Sequence, residues 1–209
     1  MSNKTVVVGM SGGVDSSVSA YLLKKQGFNV IGLFMKNWQS EPGEVCSSEI
    51  DFQDASEVCD ILDIPLHKAN FSDDYWDRVF KQFLSEHKKG RTPNPDILCN
   101  REIKFKSFYD YALKIGADFI ATGHYAKVEN DNGEAKLYRS KDINKDQTYF
   151  LHEVSSKEFS KTIFPLSDLY KSEVRDIAKE LNLNIHSKKD SVGICFVGEK
   201  NLRDFLNRF

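Results

Sequence analysis

Near the start of the chain, one segment has the composition of a phosphate-binding loop. Gly12 and Gly13 allow the backbone to approach an anion closely, and neighbouring serines supply hydroxyl donors. Asp15 is its one acid, and beside a phosphate it would act through a divalent cation or as a helix N-cap. The segment Gly9–Ser17 therefore predicts an anion site between a strand and a helix, where backbone N–H groups bind phosphate.

Two familiar nucleotide motifs do not fit this segment. A Walker A loop needs a lysine before Ser16, which is absent, and the Rossmann pattern G-x-G-x-x-G does not occur. Gly9–Gly13 does fit the G-x-S-x-G elbow of hydrolases, with Ser11 as nucleophile and His124 or His152 as base. No triad acid stands out downstream. A purely structural glycine-rich turn is the other alternative.

The four cysteines form no C-x-x-C pair, which argues against a zinc site and predicts no metal centre. Cys99 follows a proline-containing loop within residues 88–106, whose net charge is +4 (six bases, two acids). Positive surroundings lower a thiol pKa and attract phosphate, although a solvated charged face around a buried cysteine is the alternative. Cys195 lies in an apolar stretch, which by itself favours an inert core thiol. Cys46 and Cys59 are also interpreted as inert core thiols.

The elements that must position these residues alternate between strand and helix. Thr5–Gly9 predicts a buried parallel strand, Ser16–Gln26 a helix and Asn29–Met35 a second strand. This βαβ opening favours an α/β fold, a parallel twisted sheet with helices on both faces. Pro93 and Pro95 predict an irregular, non-helical stretch over Gly90–Asn100. The other predicted elements are helices at Asp51–Leu62, Ser72–Lys88, Phe105–Ile115, Lys171–Leu181 and Leu202–Phe209, strands at Pro65–Ala69, Phe119–Thr122 and Val192–Val197, and a hairpin of Ala126–Glu129 with Ala135–Arg139.

Composition places the chain among ordinary globular proteins. Of its 209 residues, 40% are hydrophobic and 29% charged, and no apolar run is long enough for a membrane span. No signal peptide is evident, which predicts a cytoplasmic protein without a membrane partner. The net charge of −2 conceals an asymmetry: residues 41–77 carry −10, so the remainder carries +8. The positive charge of the remainder is compatible with the binding of a nucleic acid.

The loop Ser11–Ser16 resembles the signature of the PP-loop ATP pyrophosphatases. Further blocks, in the same order, are similar to those of the tRNA-specific 2-thiouridylases. These blocks are Thr92–Asn100, Glu102–Phe105, Ala121–Tyr125, Lys145–Gln147, Lys189–Ser191 and Gly193–Phe196. They cover nearly the whole chain, and the one departure is Val192, where the family often has threonine. The resemblance implies a PP-loop, adenine nucleotide alpha-hydrolase-like (Rossmann-like) α/β fold.

That resemblance also implies a reaction, the 2-thiolation of the wobble uridine in tRNA. The uridine C2 oxygen would attack ATP with release of pyrophosphate, and a persulfide on Cys195 would then deliver sulfur. Cys99 would assist, leaving a Cys99–Cys195 disulfide or liberating sulfide. The implied ligands and partners are ATP with Mg²⁺, tRNA and a persulfide sulfur-donor protein.

The resemblance assigns roles position by position. The expected ATP residues are Gly9, Met10, Ser11, Gly12, Gly13, Val14, Asp15, Ser16, Met35 and Gly123; Gly123 ends a strand that faces the loop. Those expected at the target base are Asn94, Pro95 and Asp96, with Asp96 as acid/base; those expected at tRNA are His124, Lys145, Asp146 and Gln147. On local sequence alone, a residue like His124 is more often a satisfied core histidine, and one like Lys145 a solvated charge. Residues 1–198 are expected to form the catalytic domain and 199–209 the truncated start of another. The alternative function is an ATP- and tRNA-binding fragment that is inactive without a missing C-terminal region.

Overall fold

The computed structural model, which describes residues 4–39, 47–190 and 202–206, has a five-stranded parallel sheet at its centre. The strands, in chain order, are β1 (Thr5–Met10), β2 (Asn29–Lys36), β3 (Leu66–Asn70), β4 (Phe119–Ala121), β5 (Ala126–Asp131), β6 (Glu134–Arg139) and β7 (Thr162–Ile163). The sheet order is β3-β2-β1-β4-β7, and every neighbouring pair is parallel. Strands β5 and β6 form the predicted antiparallel hairpin.

Helices cover both faces of this sheet, as predicted. The helices are α1 (Val14–Lys25), α2 (Ser47–Ile61), α3 (Ser72–Tyr75), α4 (Lys81–Lys88), α5 (Pro95–Cys99), α6 (Phe108–Lys114), α7 (Ser156–Phe159), α8 (Lys171–Glu180) and α9 (Leu202–Leu206). Strand β1 shows the two-sided burial, since Val7 belongs to one hydrophobic core while Val6 and Val8 belong to the other. All three valines are fully buried, as the continuous β-branched run requires.

The strand order places a topological switch point between β1 and β4. From β1 the chain proceeds outward through β2 and β3, then returns to the other side of β1 as β4. In the register, Val8 pairs with Ala121, so the loops that follow β1 and β4 leave the same edge of the sheet side by side. Ligands of open α/β sheets bind in this crevice, beyond the carboxyl ends of the strands.

The prediction that Gly90–Asn100 is irregular is wrong for its second half, which forms α5. Asn94 caps this helix, because its Oδ1 accepts a hydrogen bond from the Asp96 N–H at 3.0 Å. Pro95 occupies the first helical position, where its missing N–H has no intrahelical partner to lose. The helix continues through a π-helical segment, Asn100–Ser107, into α6. The two prolines thus mark the start of a helix rather than exclude one.

A small aromatic cluster holds α9 against the rest of the fold. The ring of Phe205 lies 6.3 Å from Trp38 and 5.9 Å from Phe80, and Trp38 lies 5.8 Å from Trp76. Phe205 is buried in this position. The predicted strand Val192–Val197 lies outside the described residues. None of the described helices has both the length and the apolar character that a membrane span requires.

Candidate active site

A cleft of about 470 Å³ opens at the switch point. Eight of the ten residues expected to bind ATP line it, namely Gly9, Ser11, Gly13, Val14, Asp15, Ser16, Met35 and Gly123. Met10 and Gly12 do not. The side chain of Met10 is buried in the core beneath the sheet edge, and Gly12 lies against α2.

The serine hydroxyls shape the loop from within. The Ser16 hydroxyl oxygen accepts a hydrogen bond from the Ser11 N–H at 3.2 Å and lies 3.1 Å from the Ser11 hydroxyl. Ser16 and Ser17 both donate to the Gly13 carbonyl, at 3.1 and 2.8 Å. The first N–H groups of α1 have no acceptor within the helix. They belong to Gly13–Ser16, which line the cleft. This is the arrangement that binds phosphate.

The hydrolase interpretation of Ser11 finds no support in this geometry. The Ser11 hydroxyl pairs with Ser16, not with a histidine. His124 Nδ1 lies 2.8 Å from the Thr122 hydroxyl, and His152 Nδ1 lies 2.8 Å from the Tyr149 carbonyl oxygen. Among the described residues, neither imidazole forms a hydrogen bond with the Ser11 hydroxyl.

Two glycines are required by close backbone approaches. A Cβ on Gly123 would lie 2.8 Å from the Ser16 backbone nitrogen, so only glycine lets the end of β4 pack against the first turn of α1. Gly12 has φ +73° and a Cβ there would lie 2.2 Å from the Asp51 carbonyl oxygen. These contacts set the distance between the loop and the two walls of the cleft.

Asp15 is bound by a lysine rather than capping the helix. Lys171 Nζ lies 2.7 Å from each Asp15 carboxylate oxygen, and the Tyr125 hydroxyl donates to Oδ1 at 3.0 Å. The N-cap of α1 is Gly13, so the cap interpretation of Asp15 is wrong. Lys171 is the first residue of α8 and only 11% of its side chain is exposed. Sequence analysis did not identify it, although a lysine in the first turn, where the helix dipole disfavours cations, was a local signal.

Asp190 joins the same network from the carboxyl-terminal part of the chain. Lys145, Lys171 and Arg175 approach its carboxylate at 2.7, 2.8 and 3.0 Å. Partial burial opposes its charged form, but the hydrogen bonds from Lys145 and Lys171 outweigh this and lower the Asp190 pKa to about 2. The network therefore joins the predicted tRNA residue Lys145 to the nucleotide loop through Lys171.

Lys188 forms a second ionic contact behind the loop. Its Nζ donates to the Gly12 carbonyl at 3.1 Å and binds Asp51 and Asp54 at 2.8 and 2.5 Å. Burial disfavours the ammonium, but the hydrogen bonds to Asp51 and Asp54 outweigh it and raise the Lys188 pKa. Both aspartates belong to the acidic stretch 41–77, part of which thus serves to hold a lysine at the cleft.

Three of the four residues expected at tRNA line the cleft, namely His124, Lys145 and Gln147. His124 is buried, and desolvation together with the charge of Lys104 lowers its pKa well below the usual range. Gln147 Oε1 accepts the Tyr125 N–H at 3.0 Å. Asp146 does not line the cleft, because its carboxylate accepts from the Thr148 hydroxyl at 2.7 Å and stabilises the turn.

The residues expected at the target base form the N-cap and first turn of α5, and none of them lines the cleft. Cys99 ends this helix and is 4% exposed. Burial raises the pKa of Asp96, and the nearby charge of Lys104 partly opposes this. Lys104 lines the cleft, so it connects the two groups. Cys195 and Cys46 lie outside the described residues.

The basic stretch around Cys99 is largely paired with acids at the surface. Arg91 and Lys89 bind Glu86, at 2.6 and 2.8 Å. Arg101 and Lys106 bind Glu102, at 2.8 and 3.0 Å. Within the described residues Lys104 has no ion pair, and it is the member of the stretch that reaches the cleft. The net +4 of the sequence is thus less concentrated around the thiol than predicted.

The remaining described cysteine behaves as a core residue. Cys59 is buried on α2, and desolvation followed by the charge of Asp60 raises its pKa to about 12. Within residues 4–39, 47–190 and 202–206, no group of three or more histidine, cysteine or acidic side chains is arranged to hold a metal ion.

Comparison with known proteins gives a family and several relatives. The profile of the family described as tRNA methyl transferase HUP domain matches residues 4–199. The tRNA-specific 2-thiouridylase MnmA of Legionella pneumophila (strain Lens) is 60% identical over 205 residues, which are 98% of this chain and 57% of the relative. The protein of the same name from Staphylococcus epidermidis is 56% identical, over 100% of this chain and 57% of the relative. The chain thus spans a little over half the length of these relatives.

A solved structure shares the fold. A 4-thiouridine synthetase in complex with RNA and bound ATP superposes with a TM-score of 0.60 at 19% sequence identity. The match covers 98% of this chain and 50% of that one.

Proposed function

The chain belongs to the tRNA methyl transferase HUP domain family, and we propose on that premise that it carries the catalytic site of a tRNA-uridine 2-sulfurtransferase. The resemblance to 2-thiouridylases is confirmed at the level of relationship by identities of 56–60% over at least 98% of the chain. The single observation that carries the function is the Ser11–Ser16 loop, which lies at the switch point in one cleft with Lys145 and Gln147. The substrate would be the wobble uridine of tRNA.

The first step is adenylation of the uridine. The loop between β1 and α1 holds the phosphates of ATP through backbone N–H groups. The uridine C2 oxygen attacks the α-phosphorus, the bond to the β-phosphate oxygen breaks, and pyrophosphate leaves. The lysines that line the cleft (Lys104, Lys145, Lys171, Lys188 and Lys189) favour a polyanion there. The absence of a Walker lysine agrees with a loop that holds a leaving pyrophosphate.

The second step transfers sulfur. The terminal sulfur of a Cys195 persulfide attacks C2 and AMP leaves, which forms a C2–S–S–Cys195 linkage. The Cys99 thiolate then attacks the Cys195 sulfur, so the thiocarbonyl remains on the uridine and a Cys99–Cys195 disulfide forms. An external thiol supplies the two electrons that reduce this disulfide. Asp96, whose pKa is raised by burial, acts as acid/base on the uridine.

Mg²⁺ is proposed to accompany the ATP phosphates. Asp15 is the carboxylate of the loop and would hold such an ion beside Lys171, since its side chain is 32% exposed. The ion would offset phosphate charge, and magnesium ordinarily binds through one or two carboxylates plus phosphate oxygens.

We also propose a partner protein and a domain organisation for the chain. A persulfide-carrying protein would reload Cys195, and the reaction would take place in the cytoplasm. Residues 1–198 would form the catalytic domain, and residues 199–209 would lead into a further one.

The test is a single-turnover thiolation of transcribed tRNA with ATP and a persulfide donor, read by nucleoside mass spectrometry. Cys99→Ser and Cys195→Ser should each abolish 2-thiouridine, whereas Cys59→Ala, in the core, should retain it. Intact mass should show a ~32 Da sulfur adduct, which Cys195→Ser loses. An adduct that persists in Cys195→Ser overturns the role of that cysteine. ATP and tRNA binding without any thiolation would favour the alternative, a binding module.

A further inference from the structure

Lys188 contacts the nucleotide loop at its backbone rather than at a side chain. Its Nζ donates to the Gly12 carbonyl at 3.1 Å. Asp51 and Asp54 on α2 hold the same ammonium at 2.8 and 2.5 Å. The ammonium is thus fixed by three partners. A third of the Lys188 side chain is exposed, which places it at the edge of the cleft.

The orientation of one peptide group depends on this contact. In a planar trans peptide the C=O and the following N–H point in opposite directions, so fixing the Gly12 carbonyl also fixes the Gly13 N–H. Gly12 has φ +73°, in a region where glycine rotates with little steric resistance. A rotated peptide would present a carbonyl oxygen where the loop must present an N–H.

We propose that Lys188 is a positioning residue for the nucleotide, which locks the Gly12–Gly13 peptide with its N–H directed towards the phosphates of ATP. The identity of the ligand rests on the proposed function. The side chain acts on ATP through the backbone of the loop. Lys188 precedes Cys195 by seven residues in the sequence, so the same contact ties the nucleotide loop to the part of the chain that carries the second cysteine.

The competing explanation is that the ammonium simply attracts phosphate, since Lys188 also lines the cleft. Asp54 separates the two explanations, because it holds Lys188 without lining the cleft. Asp54→Asn removes a negative charge. It should strengthen ATP binding if charge alone matters, and weaken it if Lys188 must be held in place.

The experiment measures ATP affinity of the full chain by calorimetry, without tRNA. Lys188→Met should raise the ATP dissociation constant about tenfold, the loss expected for a charged hydrogen bond. Lys188→Arg should recover most of it, and Asp54→Asn should raise the constant about two- to threefold. The ¹⁵N–¹H signal of Gly13 should shift or broaden in Lys188→Met. The matched control is Lys24→Met, because Lys24 also donates to backbone carbonyls, those of Leu62 and Asp63, away from the cleft.

Unchanged ATP affinity in Lys188→Met, or tighter binding in Asp54→Asn, overturns the proposal. A wild-type chain that does not bind ATP overturns it together with the proposed function. Normal ATP binding without thiolation counts against the proposed function only, because affinity is measured independently of sulfur transfer.

Discussion

Two regions of the molecule are held together by different kinds of contact. The first, here called the nucleotide end, is the loop Gly9–Ser17 in the cleft; the second, the Cys99 end, is the stretch 88–106 around Cys99. At the nucleotide end, Lys171 and Lys188 bind residues 156 and 176 positions away in the sequence. At the Cys99 end, most ion pairs join residues within five positions of each other and have exposed cations, such as Lys106 with Glu102. One end is thus built by tertiary contacts and the other by local ones.

This difference agrees with the ligands that we propose for each end. Exposed local pairs contribute little individually, about 0–1 kcal/mol, so their cations can exchange an acid for an RNA phosphate at small cost. At the nucleotide end the Lys171 side chain is only 11% exposed, so its ion pairs are costlier to break and preserve the geometry of the loop before ATP arrives. We infer that the nucleotide end is preorganised, whereas the Cys99 end can adapt to a larger partner.

The largest expected effect comes from filling the space at Gly12. Gly12→Ala should lower the free energy of unfolding by about 3 kcal/mol and abolish ATP binding, because its Cβ would overlap the Asp51 carbonyl. Gly90→Ala is the control, since its φ of +75° is similar but no atom lies within 4 Å. It should cost about 1 kcal/mol. Urea unfolding measures both, and equal losses would show that the approach to α2 is unimportant.

Breaking the Lys171 network should have the next largest effect. Lys171→Met leaves Asp15 and Asp190 without their shared cation and should lower the free energy of unfolding by about 2 kcal/mol. This loss is smaller than the ~3–5 kcal/mol expected for breaking a fully buried pair, because both acids are partly exposed. Lys81→Met removes an exposed pair with Asp77, 62% and 61% exposed, and should cost less than ~0.5 kcal/mol. Chemical denaturation of the two variants tests this contrast directly. Equal costs would show that the burial of Lys171 adds nothing to the strength of its ion pairs.

His124, which lines the cleft near Lys104, should make stability depend on pH. Its pKa is lowered well below the usual range, so the folded protein keeps it neutral while the unfolded chain takes up a proton near pH 6.5. Its contribution is therefore present above about pH 6.5 and is lost as the pH falls below that value. His124→Gln should reduce the difference in the free energy of unfolding between pH 7 and pH 5. A His124→Gln difference identical to that of wild type would contradict this account.

The smallest effect is expected at the Cys99 end. Arg101 binds Glu102 and Glu153, but 38% of its side chain is exposed. Arg101→Met should change the free energy of unfolding by less than about 1 kcal/mol and leave ATP affinity unaltered. Weakened tRNA binding in a filter assay would be its only large consequence. A marked loss of ATP affinity would mean that the two ends are coupled.

The sequence was sufficient to predict the strand–loop–helix opening, because each part has a local cause. The β-branched run Thr5–Gly9 requires burial on both faces, and Gly12 and Gly13 interrupt it before the helix. The strand order, and with it the switch point, was not predicted, because it depends on how the strands pair in the folded sheet. The error at Pro95 arose because proline excludes a helix interior but favours a helix start, and only the cap by Asn94 distinguishes the two.

The ionic networks could not be predicted in the same way. The first-turn position of Lys171 is the one local signal, and it does not identify Asp15 as the partner; nothing local indicates that Lys188 binds the Gly12 carbonyl. Their partners depend on how the sheet brings α2, α8 and the loop together. The roles of Asn94 to Asp96 and of Cys195 stay predictions.

The aromatic cluster around α9 gives the chain an optical property. Its two tryptophans, Trp38 and Trp76, both belong to that cluster, where Phe205 packs against Trp38. Indole emission moves to longer wavelength when water reaches the ring, so the intrinsic fluorescence of this chain originates from one corner of the fold. Excitation at the indole band therefore provides a label-free spectroscopic reporter for the docking of α9.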